Sequence, residues 1–272
     1  MFGKVFKYEM KAVRRILLPL YGAMILVAFL FALSSMLSMN LSELRDRVPY
    51  FVDILQVLLS LLFFGGLIAC SVVTFVVLAR RFYSNFLGNE GYLQLSLPVD
   101  IRTHLAARTL SAFIWNLLGG VTACLALAAV ILVFSFQVHD LTGIWKNIAD
   151  TFRYLQPDLP LVILWILTLL AGMTAGIERL YLSISIGHLW EGHKLIGSVL
   201  AYIGTGFAWS TFSGILTGIV FRDASAPMGG LFGLYGDMEV PGLILTLVLA
   251  LAQAGIYYGI TWIILDRNLN LD

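Results

Sequence analysis

Six uninterrupted apolar runs, each long enough to cross a bilayer, constrain this chain more than any other feature. They are Ile16–Met39, Phe51–Ala79, Leu110–Val138, Leu161–Leu182, Leu195–Phe221 and Gly242–Leu265. Crossing a hydrocarbon layer of roughly 30 Å takes about 20 residues of helix. Lipid offers the backbone no hydrogen-bond partners, so a run of this kind satisfies itself as a helix. Barrel strands would be about 10 residues long with alternating polarity, a pattern these runs lack. The expectation is an all-α, polytopic membrane protein with six transmembrane helices over 16–266. Composition agrees. Of 272 residues 60 % are hydrophobic and 12 % charged, against about 25 % charged in soluble domains. A chain this apolar cannot hide its surface in one water-soluble core.

Lys and Arg set the orientation. One side receives Lys4, Lys7, Lys11, Arg14, Arg15, Arg80, Arg81, Arg102, Arg108, Arg179, Lys194 and Arg267; the other receives Arg45, Arg47, Lys146, Arg153 and Arg222. The positive-inside rule then predicts both termini, and the 80–109 connection, on the cytoplasmic side.

That connection is unlike a plain linker. Gly88 and Gly91 bracket Asn89 and Glu90 as a turn, and Tyr92, Leu93, Leu95 and Leu97 follow as an apolar patch. Pro98 stops the patch, since its fixed φ and missing N–H disfavour a helix through it. Asp100 is placed to cap the helix carrying Ile101, Leu105 and Leu110. Exposed Tyr and Leu in a charged connection mark a docking surface.

Glu90-Gly91-Tyr92-Leu93, Leu95 and Leu97-Pro98-Val99, followed by a helix bearing Arg108, resemble the first cytoplasmic loop of ATP-binding-cassette exporter permeases. The subgroup is the six-helix, type-two permease family of O-antigen and antibiotic-resistance exporters, with a type V exporter architecture. Its members usually carry Lys where this chain has Arg108. The resemblance implies that Asn89, Glu90, Gly91, Tyr92, Leu93, Leu95, Leu97 and Pro98 form a coupling helix seated in a groove of a separate, soluble ATPase subunit.

Residues 1–15 place Phe2, Val5, Phe6 and Met10 among Lys4, Lys7, Lys11, Arg14 and Arg15 at helical spacing. This predicts a basic amphipathic helix in the membrane interface. A signal-peptide reading is disfavoured, because the apolar run behind it is long and no A-x-A-like site follows. In the resembled family such a helix is the elbow beside the coupling loop. The tail 267–272, rich in Asn and Leu, also resembles that family's ending, and its shortness leads us to expect no fused ATPase domain.

The other connections differ in character. Residues 137–160 are compatible with an interfacial helix from Leu141 to Leu155. Residues 222–241 are glycine-rich yet apolar, and fit either a surface loop or the re-entrant element that the resembled family has before its sixth span. In the fifth run Gly206, Ser210, Gly214 and Gly218 recur every four residues, as Gly172 and Gly176 do in the fourth. A small face lets helices approach closely in lipid. It serves either internal packing or, by the resemblance, a dimer seam or the translocation path.

Ionisable groups within the runs are few. Asp53 falls near the outer end of the second, and Glu178-Arg179 near the inner end of the fourth, where they are expected to pair or snorkel. A nearly bare midplane argues against an ion-coupled carrier. Gly187–Leu195 imitates a phosphate loop, but His193 separates Gly192 from Lys194 and no Ser or Thr follows. His188, Glu191 and His193 likewise miss both zinc-protease spacings. Cys70 and Cys124 fall inside runs, where packing is a better expectation than a disulfide.

The expected function is the transmembrane permease subunit of an ATP-driven exporter in a bacterial plasma membrane, moving an amphipathic peptide, lipid or drug-like molecule outwards. No catalytic residue, metal or cofactor is expected on this chain, and no nucleic-acid partner. ATP and Mg would sit on the partner ATPase, and a second permease would complete a homodimer or heterodimer. The alternative is a membrane scaffold or sensor that docks a soluble partner and transports nothing.

Overall fold

The computed structural model describes residues 2–40, 49–88, 100–137, 143, 146, 159–190, 192–221 and 240–267. Among them the chain is all-helical. Six long helices follow one another: α1 Phe2–Asn40, α2 Pro49–Phe86, α3 Ile101–Gln137, α4 Leu159–His188, α5 Lys194–Val220 and α6 Val240–Arg267. All six are long and apolar enough to cross a membrane. This is a multi-pass membrane protein, as the runs predict.

Helices α1, α2, α4 and α6 extend past their apolar runs at both ends, and α3 begins nine residues before its run. Residues 2–15, expected as an amphipathic element, are helical and continue into the first span as one 39-residue helix with Pro19 inside it. The last helix extends through Asp266 and Arg267. The coupling residues Asn89, Glu90, Gly91, Tyr92, Leu93, Leu95, Leu97 and Pro98 lie outside the described residues, as do 222–239 and 268–272. Of the expected Leu141–Leu155 helix, only Gly143 and Lys146 are described, and both are helical.

The chain divides into two compact units. The first takes in Phe6–Leu78 and Ile114–Pro157. Along α1, Val13, Leu17, Tyr21, Met24, Ala28, Phe31 and Ser35 are all buried. Their three- and four-residue spacing puts them on one face. One cluster joins Val13, Leu17 and Tyr21 to Cys70 and Trp115. A second cluster joins Met24, Ala28 and Phe31 to Phe63 and Ala126. Phe31 stacks on Phe63 with ring centroids 5.2 Å apart.

Since lipid is as apolar as Leu, removal from water does not drive the helices together; close packing and hydrogen bonds between helices do. Tyr21 donates its hydroxyl proton to the Trp115 carbonyl at 2.9 Å and lies 3.2 Å from Thr74 Oγ1. Gln56 Nε2 donates to Ser35 Oγ at 2.7 Å. Neither cysteine is bonded to the other; Cys70 packs in the core as expected, whereas Cys124 is exposed.

The second unit takes in Met1–Val5, Ala79–Phe113 and Asp158–Asp272. Within it α4 packs along both α5 and α6, which barely meet each other. Leu189, Trp190, Gly192 and His193 lie between the end of α4 and the start of α5, so the glycines of the rejected phosphate-loop motif serve a helical hairpin. Gly192 has φ +90°, a left-handed conformation that favours glycine. Gly187 lies against Ser198 so closely that it has no space for a side chain.

Candidate functional site: a polar belt across α4

The second unit contains the end of α2, the start of α3 and the three helices α4, α5 and α6. At the α2 end, Phe82 stacks face to face on Tyr181 of α4, with centroids 4.1 Å apart. The helix ends at Phe86, and at Gly88 a Cβ would stand 2.9 Å from the Ser84 carbonyl oxygen. On the far side of 89–99, Asp100 caps α3 as its position predicts: its Oδ1 accepts from the Arg102 N–H at 3.3 Å. The Asp100 carbonyl accepts from the N–H groups of Thr103 and His104 at 2.9 and 3.3 Å.

Among the described residues of this unit, three guanidinium groups lie over aromatic rings. Arg102 stands 3.8 Å from the Trp262 centroid on α6, and Tyr258 Oη donates to the Arg102 carbonyl at 3.1 Å. Arg108, only 4 % exposed, stands 4.0 Å from the centroid of Phe86 at the end of α2. Arg179 stands 4.1 Å from the Tyr202 centroid on α5. For buried Arg108 the negative face of the ring is worth about 2 kcal/mol or more, which offsets part of the cost of leaving water, whereas at exposed Arg102 it is worth about 0.5–1 kcal/mol.

Glu178 lies between these clamps, 1 % exposed. Its Oε1 accepts from Thr109 Oγ1 of α3 at 2.7 Å. Its Oε2 has no hydrogen-bond partner among the described residues. The expected Glu178–Arg179 pair is corrected here, and Glu178 is too buried to reach water. Consecutive helical residues diverge by about 100° and do not face each other. Glu178 therefore turns to α3, and Arg179 turns to α5.

Arg179 donates from Nε and Nη2 to the Tyr202 carbonyl, at 3.2 and 2.7 Å. A helical carbonyl is ordinarily screened by the side chain four residues on, and here that residue is Gly206. The guanidinium occupies the place a Gly206 Cβ would take. Tyr257 of α6 reaches α5 as well, donating its hydroxyl proton to the Thr205 carbonyl at 3.0 Å.

The small face of α5 is thus divided. Gly206 serves internal packing. Gly214 and Gly218 have nothing described within 4 Å of a built Cβ, and Ser210 is exposed. Gly172 and Gly176 are open in the same way. Gly197 is the one fully buried residue of α5.

Sequence reasoning singled out Arg108, Glu178, Arg179 and Gly206, but not the contacts among them. It missed Tyr202, Trp262, Tyr257 and Tyr258, which are ordinary aromatics at the sequence level. The four-residue spacing of Tyr258 and Trp262 on α6 was the available signal. Chemically the belt holds helices: its donors and cations are spent on carbonyls and rings of neighbouring helices. Among the described residues no three His, Cys, Asp or Glu side chains gather to hold a metal. Comparison with models of protein families, with curated proteins and with solved structures finds no match for this chain.

Proposed function

We propose that the chain is the membrane-spanning permease subunit of an ATP-driven exporter, and that residues 89–98 couple it to a soluble ATPase. The observation that carries this reading is the fastening of both stems of the 80–109 connection. Arg108 joins the start of α3 to Phe86 at the end of α2. Thr109 joins it to α4, and Arg102 joins it to α6. A linker needs no such anchorage. A lever does, because a push on 89–98 is transmitted only if its stems move as one body with the helices behind them.

In this reading both termini and the 80–109 connection face the cytoplasm, and residues 1–15 take the elbow position. ATP and Mg bind the partner ATPase, whose closure pushes the coupling element. The open face of Ser210, Gly214 and Gly218 meets a second permease or lines the pathway for an amphipathic cargo. The residues 222–241 close the outer mouth.

The test is a mild-detergent purification of the tagged chain from its host, with mass spectrometry and an ATPase assay. Recovery of a phosphate-loop protein at about one copy per permease, with ATP hydrolysis, is the expected result. Glu90→Ala and Tyr92→Ala should then hydrolyse ATP without transport while remaining in the membrane. Absence of any ATPase across salt and detergent conditions would leave the scaffold function in its place.

A further inference from the structure

The first turns of α1 present five cations that the fold itself does not use, and four of them, from Lys7 onward, lead directly into the first span. Lys7, Lys11, Arg14 and Arg15 are all exposed, and none has a hydrogen-bond or ion-pair partner among the described residues. At about 100° per residue they fall within an arc of about 100°. The buried face of the same segment, Glu9, Val13 and Leu17, points elsewhere. Tyr8 stands beside the basic arc and is 70 % exposed. Packing therefore fixes the rotation of α1 so that a one-sided basic stripe with an aromatic at its edge faces outwards.

The position along the helix identifies the partner. Arg15 directly precedes the apolar run beginning at Ile16. From Lys7 to Arg15 the helix rises only about 12 Å. The polar layer on each side of the hydrocarbon is about 5–7 Å thick, and charges act across a Debye length of roughly 8–10 Å. All four cations are thus within reach of lipid phosphates, while an acidic protein surface would have to displace those headgroups. Tyr beside Lys and Arg at the end of a span is also the composition of a membrane interface.

We propose that the Lys7–Arg15 stripe is a binding surface for anionic, phosphate-bearing lipid headgroups. It holds α1 to one leaflet, and it does so whether or not the chain is an exporter. Each cation near a charged membrane surface contributes about fivefold in binding.

The test is native mass spectrometry of the full chain in detergent, titrated with phosphatidylglycerol or phosphatidylcholine. Phosphatidylglycerol should bind preferentially, and the preference should shrink as salt rises. Lys11→Gln with Arg15→Gln should weaken it about 30-fold, and replacing all four by Gln should remove it. Lys7→Arg with Lys11→Arg should preserve it. If the fourfold variant fails to insert, the double variant decides, since it keeps half of the stripe. An unchanged phosphatidylglycerol preference in the double variant overturns the proposal. So does inorganic phosphate competing as well as the lipid, which would make free phosphate the ligand. Equal binding of the two lipids together with capture of an acidic protein would assign the stripe to that protein instead.

Discussion

The guanidinium of Arg179 stands in the place a Gly206 side chain would fill, and it uses that gap to donate to the Tyr202 carbonyl one turn earlier. One absent methyl group thereby lets α4 hydrogen-bond to the backbone of α5. Gly206→Ala should cost about 1–3 kcal/mol by displacing the clamp, offset by up to about 1 kcal/mol of helix propensity. With Arg179→Ala already present, Gly206→Ala should cost nothing or stabilise. Unfolding of the four proteins of this cycle in mixed micelles gives the coupling; strict additivity would show that the clamp contributes nothing.

Among the described residues nothing stands near Gly214 and Gly218, so bulk there should not disturb the isolated chain. Gly214→Leu and Gly218→Leu should leave the unfolding free energy unchanged or raise it by up to about 1 kcal/mol each. If this face is the seam between permeases, the same substitutions should shift a dimer to monomer by light scattering. A stability loss of several kcal/mol would place the face inside the fold instead.

Thr109 gives Glu178 the hydrogen bond to its Oε1. Thr109→Val should therefore cost about 1–3 kcal/mol, because it strips a buried polar group of its partner. Glu178→Gln should cost less, since its amide oxygen still accepts from Thr109. Equilibrium unfolding of the two variants tests the order, and a larger loss for Glu178→Gln would show that the charge matters more than the bond.

Tyr21 joins α1 to the Trp115 carbonyl of α3 and lies beside Thr74 of α2. Tyr21→Phe keeps the ring and removes the hydroxyl, so a loss of about 1 kcal/mol is expected. Gly119→Ala should produce a similar effect by another route. Its Cβ would stand 3.0 Å from the Tyr21 hydroxyl oxygen and push it off the carbonyl. Unfolding of the double variant should show that the two losses overlap rather than add.

The cap at Asp100 was legible in the sequence because it depends on residues within one turn of one another. The direction of Glu178 was half legible. Helical rotation alone separates it from Arg179, yet nothing local names Thr109 as its partner, 69 residues away. Tyr258 and Arg102 meet across 156 residues, and no spacing rule reaches that far. The division of the α5 face was hidden for the same reason. Gly206 and Gly214 are alike in sequence, and only a neighbouring side chain distinguishes them.

What the sequence determined by itself is the six-helix membrane architecture. In lipid each segment must close its own hydrogen bonds, so length and apolarity within a single run decide its structure. What only the tertiary structure decided is which face of each helix meets which neighbour. Rotation and pairing are set by packing and by a few buried polar contacts between runs far apart in the chain. Those contacts turned Glu178 to α3 and Arg179 to α5, and left the basic stripe of α1 facing outwards.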